Sequence, residues 1–178
     1  MAVLIEAISV VIRRDSIEAR FPGGWPRFEE SVPNNTLCFD AEIARVGFMS
    51  PEDVKAYVDQ LELSGLRYLV DGQAQDIAVI DQLAGFLVSA SWLELATLYL
   101  DEFDGSVEAC RLCGSQVEKL VVPGRWSYAG SMSQTKGFKP TEASRQDLEF
   151  VRTDGGVDVY FDKLTGKEVY LGRTSRQH

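Results

Sequence analysis

The strongest folding constraint in this chain lies in its first dozen residues. From Val3 to Ile12 every side chain except Glu6 and Ser9 is apolar. A strand with one wet face alternates apolar and polar residues, so a run without alternation needs cover on both faces. It reads as a single buried strand. A membrane span needs about 20 apolar residues, more than this run offers. A secretory leader carries its positive charge ahead of the apolar stretch, whereas here Glu6 interrupts the run and Arg13 and Arg14 follow it. No other stretch is long and apolar enough to span a bilayer, and the expectation is a cytoplasmic protein.

The segments that follow supply the cover. Asp15, with Glu18 three residues on, suggests the cap of a short helix that stops at Phe21-Pro22-Gly23-Gly24. Trp25 to Val32 reads as a further turn or two of helix. Thr36 to Phe48 alternates like a strand. Ser50-Pro51-Glu52-Asp53 is the clearest helix start, with a capping hydroxyl, a proline suited to the first helical position and two acids at the positive end of the dipole. Val54, Tyr57, Val58 and Leu61 then fall on one helical face. Leu66 to Val70 resumes as a strand.

Beyond this point the pattern shortens. Residues 76–81, 92–100, 106–112 and 117–122 read as strands separated by turn residues, and 157–161 with 167–171 flank a five-residue loop ending in Gly166. The predicted class is α+β: an early strand-helix-strand-helix layer, then a mainly antiparallel β-meander with a C-terminal β-hairpin. The spacing predicts one domain over 1–172, with a sub-boundary left open near 71–75, and a flexible tail over 173–178. A chain of 178 residues buries roughly 70% of its unfolded surface, so it needs neither disulfide nor metal to be stable.

The side-chain inventory narrows the chemistry. The one histidine, His178, is the last residue given, which leaves little room for a positioned imidazole or a histidine-bound zinc. Three cysteines, Cys38, Cys110 and Cys113, include a CxxC without the second pair that a zinc ribbon requires. Buried structural thiols are the plainer reading, with a metal site using Cys38 and a carboxylate as the alternative. No cofactor and no metal are expected. Cys38, Asp40 and Glu42 would share one face of the 36–48 strand, either as its wet side or as paired carboxylates for acid–base work.

Residues 123–140 read as a long loop, and long loops in compact domains tend to be functional or disordered. This one carries Arg125, Lys136 and Lys139 without an acid, together with Trp126, Tyr128 and Phe138. Trp25, beside Gly23-Gly24, is a second aromatic candidate. The candidate binding residues are therefore Arg125, Trp126, Tyr128, Lys136, Phe138, Asp40, Glu42 and Trp25. The net charge of −9 argues against nucleic acid and anionic membrane, and toward a basic protein partner.

The segments Leu4–Arg13, Gly47–Val54, Asp81-Gln82 and Trp92-Leu93-Glu94 resemble a family of uncharacterised small bacterial cytoplasmic proteins. The resemblance covers roughly the first hundred residues and implies no activity or ligand. By class, a small acidic domain without a catalytic kit resembles immunity proteins, which cover the basic face of a toxin. The leading expectation is a non-enzymatic protein-binding domain of that type. The alternative is a small-molecule-binding or enzymatic domain using strand-face carboxylates and the 123–140 loop. A homo-oligomer paired through edge strands of the late sheet is a third.

Overall fold

In a computed structural model of the chain, which describes residues 1–116, 119–135, 148–154, 157–162 and 167–172, the opening apolar run is two strands rather than one. β1 (Ala2–Ile5) and β2 (Ile8–Arg13) are separated at Glu6-Ala7, where Ala7 takes the left-handed conformation with φ 50°. That conformation is uncommon for a residue with a Cβ. Here it is held from both sides: Ala7 N–H donates to Gln82 Oε1 at 2.9 Å, and Gln82 N–H donates to the Ala7 carbonyl at 2.8 Å. The single-strand expectation fails because apolarity reports burial, not continuity.

The break lets the run serve two sheets. The remaining members of these sheets are β3 (Cys38–Phe39), β4 (Ile43–Phe48), β7 (Ile77–Asp81), β8 (Gly85–Phe86), β9 (Leu93–Leu100), β10 (Gly105–Leu112) and β11 (Leu120–Val121). β2 lies in a five-stranded sheet of order β3-β4-β2-β7-β8, and β1 in a four-stranded sheet of order β11-β1-β10-β9. Pairing is antiparallel throughout, apart from β1 with β11. Between β4 and β7 a small hairpin, β5 (Leu69–Val70) and β6 (Gln73–Ala74), turns at Asp71 and Gly72, both with positive φ. β7 follows this turn and pairs along β2.

Side-chain alternation explains why the run lacks a polar face. Ile8, Val10 and Ile12 point toward the helices α1 (Arg14–Arg20), α2 (Gly24–Ser31) and α3 (Pro51–Leu63), where Ile17, Phe28, Val54, Tyr57, Val58 and Leu61 are buried. Val11 points the other way, and packs with Ile43, Ala78 and Ile80 against Val3, Ile5, Leu93 and Cys110 of the four-stranded sheet. Leu4 and Val107 face outward from that sheet and are covered by Tyr128 and Trp126. The order of layers is helices, sheet, sheet, and a covering segment.

The start of α3 forms as its sequence predicts: Ser50 Oγ accepts from Asp53 N–H at 3.2 Å, and the predicted face is buried. Two local expectations are corrected. Asp15 lies inside the first turn of α1 rather than ahead of it, its Oδ1 accepting from Ser16 N–H at 2.7 Å. The 36–48 stretch is a hairpin, not one strand. It turns at Asp40, whose Oδ1 accepts from Glu42 N–H at 2.7 Å and Ile43 N–H at 2.8 Å, as turn-forming aspartates do.

The late part is a meander that ends in a three-stranded antiparallel sheet of β12 (Leu148–Asp154), β13 (Val157–Asp162) and β14 (Lys167–Gly172). β13 and β14 are the hairpin read from the sequence; β12 was not assigned there. The predicted tail, 173–178, lies outside the described residues.

Asp81, at the end of β7, gives a pH-dependent prediction. Its Oδ1 accepts from Leu83 N–H at 2.8 Å and Ala84 N–H at 3.0 Å, yet burial dominates and raises its pKa above the ordinary carboxylate value. A raised folded-state pKa means that the folded form binds the proton more tightly. Stability is therefore lost as pH rises from the unfolded value through the raised one. Asp81→Asn keeps an acceptor oxygen and removes the charge. The variant is expected to be the more stable at neutral pH, with the advantage vanishing below the ordinary carboxylate range. Urea unfolding at pH 3 and pH 7 checks this, and an advantage that grows on acidification would contradict it.

Candidate functional site

Glu6, the one acid inside the apolar run, organises a buried polar cluster. It is 8% exposed. Its Oε1 accepts from Trp126 Nε1 at 3.1 Å, Ser133 N–H at 3.0 Å and Ser133 Oγ at 2.6 Å, across 120 and 127 positions of sequence. Carboxylates that accept several donors make bonds stronger than neutral pairs. The described part of the 123–140 loop is thereby tied to the body of the protein, and Met132–Thr135 closes into a short helical turn, α4. Tyr128 adds a second anchor. It is buried, stacks on Phe103 at 5.1 Å between ring centroids, and lies so close over Gly105 that any Cβ there would overlap its hydroxyl.

Beneath Glu6 lies a buried arginine. Arg45, on β4, projects between the sheets and is 3% exposed. Its Nε donates to Ser9 Oγ at 2.9 Å and its Nη2 to the Glu6 carbonyl at 2.8 Å, while Ser9 Oγ donates to that same carbonyl at 3.1 Å. The guanidinium lies against Gly47, where a Cβ would sit 2.5 Å from Nη2. Glycine is thus required by the arginine's position.

Arg45 also feels two thiols, Cys38 and Cys110. Burial pulls its pKa below the ordinary arginine value, an effect that Cys38 and Glu6 oppose. Burial pushes Cys38 up to about 11, with Arg45 opposing, and pushes Cys110 up as well. Both thiols are protonated at neutral pH, and neither is a nucleophile there. Cys113 is exposed, with Sγ 3.2 Å from the Ser91 carbonyl. The CxxC is therefore split between the core and the surface. Iodoacetamide is expected to label the native protein at Cys113 and to reach Cys38 and Cys110 only in denaturant, as peptide mass spectrometry will show. Native labelling of Cys110 at the rate of Cys113 would contradict this placement.

The cluster opens into a cleft of about 440 Å³. Glu6, Arg45 and Gly47 lie at its base, with Asn34, Thr36 and Phe48 on one side and Trp126, Pro123 and Met132 on the other. The exposed residues Arg125 and Asp53 stand at its mouth. Asn34 Nδ2 donates to the Gly47 carbonyl at 2.8 Å, and Gly47 N–H donates to Thr36 Oγ1 at 2.7 Å, so this wall is braced. The volume falls within the roughly 300–1,000 Å³ typical of small-molecule sites.

No protein-family model matches the chain, and no match is found among curated proteins or solved structures.

The structure sorts the sequence candidates. Arg125 and Trp126 line the cleft, and Tyr128 lies buried beside it as an anchor. Trp25 sits elsewhere, stacked under Arg14 at 3.9 Å and against Phe39 at 4.7 Å and Phe28 at 5.3 Å, where it seals the helix layer. Asp40 is buried in its turn, and its carbonyl accepts from Arg14 Nη1 at 2.8 Å; Glu42 is exposed. Cys38, Asp40 and Glu42 therefore share no strand face, because the turn at Asp40 breaks the alternation. Lys136 and Phe138 lie outside the described residues, as do Lys139 and His178. The sequence reading missed Glu6, Arg45, Asn34, Thr36 and Asp53. Only Glu6 had left a signal, as an acid in a run where burial is otherwise complete.

Among the described residues, no three His, Cys, Asp or Glu side chains come together to hold a metal ion. Among them too, no helix is long and apolar enough to cross a membrane.

Proposed function

We propose that this chain is a non-enzymatic binding domain, and that it takes a small polar molecule in the Glu6–Arg45–Trp126 cleft. The observation that carries the reading is the inward turn of the loop's aromatic residues. Exposed, Trp126 and Tyr128 would suit the face of a protein interface. Held by Glu6, Trp126 lines a concave site instead, and Tyr128, packed over Gly105, anchors the segment beside it. The base presents a guanidinium and a carboxylate, and the walls present amide, hydroxyl and apolar surface. That mixture orients a ligand with polar groups on an apolar frame. The two core thiols of the cluster are protonated, which favours binding over nucleophilic chemistry.

A panel of small polar metabolites screened by thermal shift tests this. A ligand present at 100 times its Kd stabilises by about 2.7 kcal/mol, or a rise in melting temperature of roughly 5–10 °C for a chain of this size. Arg125→Glu, a change at the mouth of the cleft, is expected to weaken that rise without altering the ligand-free melting temperature. A panel without a stabilising member, or a rise unaffected by cleft substitutions, would count against the reading.

A second reading, an immunity-type domain that covers a basic protein, is favoured by the net charge of −9 and by exposed acids such as Glu29, Glu30, Asp59 and Glu62 on α2 and α3. It requires a stoichiometric basic partner on co-purification, and Arg125→Glu should leave that partner's affinity unchanged or higher. A bacterial cytoplasmic setting suits both readings.

A further inference from the structure

Edge strands expose unpaired backbone groups, and proteins blunt them by shortness, charge, proline or bulges. Three of the four edges of the two large sheets are blunted by length: β3, β8 and β11 are two residues each. The fourth, β9, is eight residues long and pairs with β10 at every position without a bulge. Among the described residues it has no neighbour on its other side. It contains neither lysine nor proline. Its one charge, Glu94, accepts from Arg111 Nε at 3.0 Å, and Leu95 to Leu100 is uncharged in a chain of net charge −9.

From these features we infer that β9 is a homodimer edge, at which a second copy of this chain pairs antiparallel and joins two four-stranded sheets into one of eight. A register centred on Thr97 suits the side chains. Strand pairing about a two-fold axis perpendicular to the sheet puts residues of the same face opposite one another. With the axis at Thr97, Thr97 meets its own copy, and Leu95 meets Tyr99 of the second copy. Leu95 is 41% and Tyr99 59% exposed in the single chain. Hydroxyl–hydroxyl and aromatic–aliphatic pairs are favourable cross-strand combinations. Two acidic molecules ordinarily repel, but this register sets no pair of like charges directly opposite along Leu95–Tyr99. The fit to a second copy, rather than to an unrelated strand, lies in that self-complementarity.

Thr97→Lys tests it. The new lysine lies opposite Glu108 on β10, which the single chain tolerates, but places two ammonium groups face to face on the dimer axis. Gln60→Lys, the same charge change on the exposed side of α3, is the control. Light scattering at about 100 µM is expected to give twice the 19.8 kDa of one chain for the wild type and for Gln60→Lys, and a single-chain mass for Thr97→Lys. Amide exchange over Glu94–Leu100 in the wild type is expected to slow as concentration rises. A single-chain mass for the wild type, or a doubled mass that survives in Thr97→Lys, would overturn the proposal. Should Thr97→Lys fail to fold, exchange over β9 that is independent of concentration in the wild type would overturn it equally.

Discussion

Replacing Arg45 by alanine is expected to destabilise the chain by about 4 kcal/mol, from the sum of a core cavity and broken buried polar contacts. The side chain is 3% exposed and serves the Glu6 carbonyl and Ser9 Oγ. Its loss leaves the carbonyl with only the Ser9 hydroxyl as a side-chain donor and empties the layer between the sheets beside Cys38 and Cys110. For a chain of this size the melting temperature should fall by about 8–16 °C. Arg45→Met, which keeps most of the volume and buries no charge, is expected to cost less than half as much, since apolar replacements of buried ions are often tolerated. Chemical denaturation of the three proteins checks the order. Equal losses in both variants would mean that the guanidinium's hydrogen bonds carry the cost and that packing at this position matters little.

Glu6→Ala is expected to cost about 3 kcal/mol, because three donors lose one charged acceptor and the Ser133 N–H is buried. Its effect should also be local in a way that the Arg45 effect is not. Residues 126–133 lose their tether and should exchange amide protons faster, while α3, capped by Ser50, keeps its protection. Glu6→Gln retains an acceptor oxygen and is expected to lose about 1 kcal/mol. Ligand binding in the cleft should fail in Glu6→Ala even where the protein remains folded, since Trp126 and Met132 no longer hold their wall.

The chain's local signals were legible where local physics decides structure. Ser50-Pro51 and the spacing of Val54, Tyr57, Val58 and Leu61 define α3 because cap chemistry and helical period act within a few residues. The C-terminal hairpin was legible for the same reason. The breaks at Ala7 and Asp40 were not. Ala7 adopts a left-handed conformation that its own side chain disfavours, and it is held there by Gln82, 75 positions away. At Asp40 an alternating pattern continues through a turn, so period two alone could not mark the end of β3.

The candidate site was half legible. Arg125 and Trp126 stood out as a cation and an aromatic residue in a loop of unusual length. Their partners did not, because Glu6 and Arg45 sit in segments whose pattern speaks only of burial. A buried charge becomes informative once its partner is known, and here the partners lie in distant parts of the sequence.

Glu6 holds residues 123–135 against the body of the protein through Trp126 and Ser133. The indole N–H of Trp126, followed by nuclear magnetic resonance, reports this contact. Trp92 is an internal reference, since its Nε1 donates to the Ala74 carbonyl at 3.0 Å, away from Glu6. In the wild type both indole protons are expected to exchange slowly with solvent. In Glu6→Ala the Trp126 proton should exchange far faster, with Trp92 unchanged. A Trp126 indole that already exchanges freely in the wild type, or one indifferent to the loss of Glu6, would contradict the tether and with it the cleft.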